Sequence, residues 1–223
     1  LKEHAIESII TADADRPTSI KTRIMAHNQQ VVRVDTETTT QISPEIMETL
    51  LESLKKHLEP DSVVIVSDYG KGVISESFLS EFMKVCSSLK PCPKVLVDPK
   101  IRNFGAYKGC HLLTPNRKEA GECAKKQAPR SKDEIVRTGI EIFKRLKCKH
   151  LLITLGPQGM AYFDSPSSVF HLPTAAQNVY DVTGAGDTVI ASLGVALASG
   201  ASELNACIIA NIAASIVVKE IGT

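Results

Sequence analysis

The sequence predicts an α/β fold with a mainly parallel central sheet. Short apolar runs, among them Val63-Val64-Ile65-Val66, Val95-Leu96-Val97 and Leu151-Leu152-Ile153, alternate with segments of helical periodicity. These runs are apolar throughout instead of at every second residue, as in strands buried on both faces. Aromatic residues are only 4% of the chain and Trp is absent, so the core is expected to be aliphatic.

The elements follow in order. Residues 19–26 alternate, with Ile20, Thr22, Ile24 and Ala26 set against Lys21, Arg23 and Met25. Residues 30–35 carry Val31, Val32 and Val34, and the polar His27-Asn28-Gln29 between the two runs reads as a hairpin turn. Ser43 is a helix N-cap with Pro44 in the first turn, and Ile46, Met47, Leu50, Leu51, Leu54 and Leu58 keep helical spacing. After the strand at 63–66, Ser75 opens a helix over 76–89, and the strand at 95–97 ends on Asp98-Pro99. A strand over 111–113 ends on Thr114-Pro115-Asn116, and helices are expected over 119–126 and 133–146. The strand at 151–153 takes residues 160–163 as its hairpin partner, 169–172 is a further strand, and helices over 184–198 and 203–218 close the series. Pro99, Pro115 and Gly156 all fall just past strand ends, where ligands bind in such sheets.

Composition narrows the function. The 223 residues hold 26 Lys and Arg against 25 Asp and Glu, a formal charge of +1. No nucleic-acid partner is expected from that balance, because counterion release needs clustered positive charge. No apolar run approaches the ~18 residues of a membrane span. The most apolar stretch, 208–218, is broken by Asn211 and Ser215, so no membrane association is expected. There is no signal-peptide pattern. Six cysteines occur without a Cys-x-x-Cys pair, which predicts reduced thiols in a cytoplasmic protein, not a zinc ribbon. An opening on Leu1 suits a piece of a longer protein.

The strongest chemical signal is Asp181-Val182-Thr183-Gly184-Ala185-Gly186-Asp187-Thr188, placed before a clean helical run. Glycines permit close backbone approach to a ligand, and the N–H groups and dipole at a helix start attract anions. Asp187 would repel a bound phosphate, which makes sense if it serves as a base beside one; a helix start with Asp as dipole partner explains the same residues. No Lys follows the glycines, so this is not a Walker loop. Thr154-Leu155-Gly156-Pro157-Gln158-Gly159 lies between a buried strand and its hairpin partner, and taken alone it reads as a simple turn. Asn116 with Glu119 three residues on reads as a capping box, or as a site where Glu119 holds water on Mg²⁺. Ser67-Asp68-Tyr69-Gly70-Lys71-Gly72 and Asp98-Pro99-Lys100 put Asp68, Lys71, Asp98 and Lys100 at strand carboxyl ends. The six His show no ligand spacing, and no Gly-x-Ser-x-Gly is present.

Taken in order, Asn116-x-x-Glu119, Thr154-x-Gly156-x-x-Gly159 and Asp181-x-Thr183-Gly184-Ala185-Gly186-Asp187 resemble the ribokinase-like (PfkB) carbohydrate kinases over most of the chain. Residues 21–35, with the Asp68–Lys71 and Asp98–Lys100 loops and Leu113-Thr114-Pro115-Asn116, are most similar to the branch that phosphorylates heptose 7-phosphate. The resemblance implies a three-layer fold with a small β lid that includes residues 19–35, the whole of 1–223 being a kinase domain that lacks its N-terminal sugar-binding part. It implies ATP and Mg²⁺ as cofactors, a sugar phosphate as substrate and a homodimer formed through the lid. The implied product is the 1,7-bisphosphate made at the anomeric hydroxyl, on the route to ADP-heptose and the lipopolysaccharide core. Asp187 would be the base, with Gly184, Ala185 and Gly186 holding the transferring phosphoryl group. Asn116 and Glu119 would orient Mg²⁺ through its waters. Thr154, Gly156, Gly159 and Asn211 would line the nucleotide. Asp68, Lys71, Asp98 and Lys100 would face the sugar phosphate, with Lys71 as first choice for the phosphate. The alternatives are another sugar or nucleoside kinase of this fold, or a noncatalytic nucleotide-binding fragment; an intact Asp187 argues against the last.

Overall fold

The computed structural model of the chain describes residues 6–27, 29–175 and 183–219. Its larger sheet has six strands in the order β3-β4-β5-β6-β7-β8, and a separate ribbon is made of β1 and β2. In the larger sheet, β3 (Val63–Ser67), β4 (Lys94–Asp98), β5 (Leu112–Leu113) and β6 (His150–Thr154) are parallel neighbours. The last two strands, β7 (Met160–Ser165) and β8 (Ser168–Leu172), add on as antiparallel hairpins.

Alternation along the strands divides the core in two. Val95, Val97, Leu113, Leu151, Ile153 and Phe163 face one layer. That layer comprises α1 (Pro44–His57), α2 (Glu76–Ser88), α3 (Arg117–Cys123) and α4 (Lys132–Leu146). Leu96, Leu112, Leu152, Met160 and Tyr162 face the other, made of α5 (Ala185–Ala198) and α6 (Glu203–Val217). Leu96, Leu112 and Leu152 are fully buried, and each such side chain contributes about 1.5–3 kcal/mol by leaving water. The three-layer arrangement expected from the sequence is present; the core is mainly aliphatic, but Phe82, Tyr107, Tyr162 and Phe163 are among its largest fully buried side chains. Cys92 is exposed while the other five cysteines are buried, and all six are free thiols.

Capping chemistry sets the helix starts. Ser43, Ser75, Ser131 and Ser202 each accept the backbone N–H three residues on, and Ser131 with Glu134 closes a full capping box. Most boundaries fall within one or two residues of the sequence reading, and two differences are larger. The helix expected over 119–126 runs Arg117–Cys123, because Asn116 is its cap and Lys125 takes a left-handed φ of 56° that stops it. A 3₁₀ segment, Ile101–Ala106, was not foreseen; it follows Lys100 with no side-chain cap.

The ribbon pairs β1 (Ile20–Ala26) with β2 (Gln29–Thr36) antiparallel, with Thr22 opposite Val34 and Ile24 opposite Val32. Cross-strand partners share a face, so Ile20, Ile24, Val32 and Val34 lie together, and all four are exposed. Residues 37–42 return the chain to the sheet, where Ile42 N–H donates to Gly72 O at 3.1 Å. A Cβ on Gly72 would lie 2.0 Å from Thr40 O, so only glycine lets these two segments touch.

Candidate active site

The four parallel strands point the same way, so the loops after β3, β4, β5 and β6 meet at one edge of the sheet, with the start of α5 beside them. Two adjoining clefts lie there. One, of about 210 Å³, is polar and is lined by Tyr69, Asp98, Lys100, Thr114, Asn116, Glu119 and Asp187. The other, of about 170 Å³, is mostly apolar and is lined by Gly156, Gly159, Met160, Ala185, Asn211 and Ala214. Thr154, Gly186 and Val189 belong to both and mark the junction.

Gly184 caps α5 with a left-handed φ of 76° and offers no side chain to the first-turn N–H groups. That leaves donors at a positive dipole end facing the junction, the usual makings of an anion site. Asp187 stands in the first turn, and its Oδ1 accepts from the Tyr69 hydroxyl at 3.1 Å. Asp181, at the head of the same sequence motif, lies outside the described residues.

Across the polar cleft, Lys100 Nζ is 3.0 Å from Glu119 Oε1. Glu119 is 7% exposed, and its other oxygen accepts the Asn116 N–H at 2.9 Å while Asn116 Oδ1 accepts Glu119 N–H at 3.0 Å. The capping box is therefore real, and Glu119 carries an ion pair besides. Burial pushes the Asp98 carboxyl up to about 6; Glu119, Asp187 and Asp68 add to this and Lys100 opposes it. Burial also works to lower Lys100, but its bond to Glu119 and the charges of Asp98 and Asp68 outweigh it and raise the ammonium pKa. Burial and the bond to Asp187 raise Tyr69. The cleft thus concentrates carboxylates around one lysine, an oxygen-rich donor set suited to a hard cation such as Mg²⁺.

The apolar cleft is built by the turn after β6. Gly159 has φ 82°, and a Cβ there would sit 2.0 Å from Leu172 O. Arg117 braces the turn by donating to Leu155 O at 2.9 Å and Gln158 Oε1 at 2.6 Å. Asn211 Nδ2 donates to Pro173 O at 2.7 Å, which fixes α6 against the cleft floor.

Two of the residues assigned to the sugar phosphate from sequence are held elsewhere. Asp68 is 1% exposed and is engaged by Gly70 N–H at 2.6 Å, Asn103 Nδ2 at 2.7 Å and the Tyr107 hydroxyl at 2.5 Å. It braces its loop from beneath. Lys71 pairs with Glu37, in the segment after the ribbon, and does not line the polar cleft. Asp98 and Lys100 do line it, together with Asn116, Glu119, Thr154, Gly186 and Asp187. Tyr69, Thr114 and Val189 were missed as lining residues. Tyr69 stood inside a loop already singled out, but no spacing rule marks a tyrosine that will meet a carboxylate 118 positions away.

The two clefts thus meet at the strand carboxyl ends beside a glycine-started helix, where α/β proteins bind anionic ligands. Residues 1–223 match the pfkB family of carbohydrate kinases, and the chain belongs to that family of phosphotransferases. It is 41% identical to "Bifunctional protein HldE" of Geobacter sulfurreducens over 214 residues, 96% of this chain and 43% of that protein. The protein of the same name from Helicobacter hepaticus is 41% identical over 219 residues, 97% of this chain and 44% of its own length. The chain therefore spans less than half the length of these curated relatives. Among solved structures, phosphofructokinase-2 from Escherichia coli in complex with potassium superposes with TM-score 0.73 at 19% identity, covering 86% of this chain and 62% of that one. Pyridoxal kinase from Staphylococcus aureus gives TM-score 0.69 at 22% identity, covering 92% and 76%. These two likenesses show the fold. No helix among the described residues is long and apolar enough to cross a membrane.

Proposed function

We propose that the chain is the kinase part of a cytoplasmic protein that transfers the γ-phosphoryl group of ATP to the anomeric hydroxyl of D-glycero-D-manno-heptose 7-phosphate. The single observation that carries the transfer chemistry is the position of Asp187, in the polar cleft beside Gly186, where that cleft meets the apolar one. The apolar cleft suits the nucleoside, with Thr154, Gly156, Gly159 and Asn211 around it. The N–H groups of Ala185 and Gly186 suit the transferring phosphoryl, whose charge needs fixed donors more than covalent help. Asp187 takes the proton of the sugar hydroxyl as that oxygen bonds to phosphorus and the bond to ADP breaks.

The donor set fits Mg²⁺, which when bound neutralises charge on the triphosphate. Asp98 would hold it directly and Glu119 through water, since both Glu119 oxygens are already engaged. Lys100 faces the sugar phosphate from the cleft, and Lys71 reaches it on release from Glu37. The β1–β2 ribbon, with its exposed apolar face, serves as lid and as the surface for a second copy. Heptose specificity is supported by the relatives' 41% identity and by the likeness of residues 21–35 to the heptose branch.

The test is a product assay on the full-length parent protein, with heptose 7-phosphate, fructose 6-phosphate and ribose as acceptors and ³¹P NMR of the product. The 1,7-bisphosphate should form fastest. Equal or faster use of fructose 6-phosphate or ribose moves the assignment to another sugar kinase, and no transfer to any acceptor leaves a noncatalytic nucleotide binder.

A further inference from the structure

At the end of the sheet opposite the clefts, His111 immediately precedes β5, His150 opens β6 and Glu203 opens α6. The parallel register sets His150 opposite Leu112, the residue after His111; His150 N–H donates to His111 O at 2.9 Å, and the two ring centroids are 5.1 Å apart. His111 Nε2 lies 3.1 Å from Glu203 Oε1, and one ligand atom from each of the three residues lies within 4.8 Å of the others. We propose that His111, His150 and Glu203 form a site for one divalent transition metal ion of the zinc class, remote from the kinase clefts.

The ligand chemistry selects the ion. Two imidazoles and a carboxylate are a known three-ligand zinc set with one position left for water, whereas Mg²⁺ and Ca²⁺ prefer oxygen alone. Two ligand atoms about 2.0–2.2 Å from one ion lie about 3.3–3.6 Å apart at a near-tetrahedral angle; His111 and Glu203 stand slightly closer than that at 3.1 Å, and any wider spacing in the trio, up to 4.8 Å, closes by side-chain rotation as the ion enters. His150 is also oriented from behind. Its Nδ1 is 3.0 Å from the Tyr162 oxygen, and the Tyr162 hydroxyl donates to Asp164 Oδ1 at 3.0 Å. That places the His150 proton on Nδ1 and its lone pair on Nε2, the arrangement by which outer partners fix ligating histidines. The His111 and Glu203 side chains are 10% and 26% exposed, so the trio is sheltered yet reachable.

Two cations oppose an incoming ion: Lys149, whose charge works to lower His111, and Lys94, with Nζ 3.8 Å from Glu203 Oε1. That distance is beyond a hydrogen bond, and the Lys94 side chain is 30% exposed and able to swing into water as an ion enters. The trio takes no part in the proposed phosphoryl transfer. A metal here would tie the first turn of α6 to β5 and β6, and so steady the helix whose Asn211 and Ala214 line the apolar cleft.

The experiment uses the full-length parent protein stripped with EDTA and titrated with Zn²⁺ alone, by calorimetry and thermal melting, and with Co²⁺ for its visible spectrum. One ion per chain should bind and raise the melting temperature, and Co²⁺ should show a four-coordinate spectrum without a thiolate charge-transfer band. His150→Gln and Glu203→Gln should each weaken binding about 100-fold, and Tyr162→Phe, which keeps the core filled, about 10-fold. Absence of one-to-one binding, a thiolate band in the wild type, or unchanged affinity in Glu203→Gln overturns the proposal. The cobalt spectrum decides on the unmutated chain should a variant fail to fold.

Discussion

The Tyr69 hydroxyl donates to Asp187 Oδ1 across 3.1 Å, tying the loop after β3 to the first turn of α5. Lys21 of the ribbon lies over the same Tyr69 ring, 5.7 Å from its centroid. Tyr69 is thus a link between the proposed lid and the proposed base. Tyr69→Phe keeps the ring and its contact with Lys21 but frees the carboxylate. Hydrogen bonds to charged groups contribute about 1.5–3 kcal/mol, so kcat should fall roughly 10-fold or more with KM for ATP unchanged. Steady-state kinetics on the full-length parent checks it, and an unchanged kcat removes Tyr69 from positioning.

Asp98 should make the fold less stable as pH rises. Its carboxyl titrates at about 6 instead of the ordinary 3.8. Between those values the folded chain keeps a proton that the unfolded chain has lost, so stability falls through this window and the whole penalty is present above it. His111, lowered by burial to about 4, acts in the opposite sense, losing stability as pH falls. The difference between wild type and Asp98→Asn isolates the carboxyl, since both chains carry His111. Asp98→Asn should melt higher than wild type at pH 7.5 and level with it near pH 4, while phosphoryl transfer drops. Equal melting at both pH values contradicts the assigned burial cost.

Glu119→Gln separates two roles. Gln still accepts the Asn116 N–H, so the capping box survives and melting should move by only a few degrees. The charge facing Lys100 is lost, and with it the oxygen proposed to hold Mg²⁺-bound water. Activity should need several-fold more Mg²⁺. A Mg²⁺ titration that superposes on wild type leaves Glu119 as a cap and ion-pair partner alone.

Gly159→Ala tests the apolar cleft. With φ 82° and Leu172 O 2.0 Å from any added Cβ, the turn must shift. The strain of a non-glycine residue there is about 1–3 kcal/mol before the clash is counted. Melting should fall by several degrees and ATP affinity should drop with it. Gly156→Ala meets no atom within 4 Å and carries only the φ penalty, so it should be the milder change.

The sheet was legible because parallel buried strands write themselves as unbroken apolar runs, and Ser43, Ser75 and Asn116 announce their helices. Around the clefts, the turn and helix start were legible where backbone conformation dictates residue type, as at Gly159 and Gly184. The site was not legible where function turns on which side chain reaches a partner. Lys71 and Lys100 look alike at the ends of neighbouring strands, yet one meets Glu37 and the other Glu119. Asp68 and Asp98 both follow parallel strands, but Asn103 and Tyr107, from the unforeseen 3₁₀ segment and its cap, claim Asp68. The His111–His150–Glu203 trio has no sequence spacing because tertiary packing of the β5 and β6 starts against the first turn of α6 assembles it.

Asp187 is the proposed base, at the junction of the proposed nucleotide and sugar clefts. Asp187→Asn in the full-length parent tests that role most directly, with ADP release measured beside ATP binding by calorimetry and the fold checked by thermal melting. The amide keeps size and can still accept from Tyr69, but it cannot take the proton. The rate should fall by about 10²–10⁴-fold with ATP affinity and melting nearly unchanged. A variant that turns over within a few-fold of wild type would contradict that role.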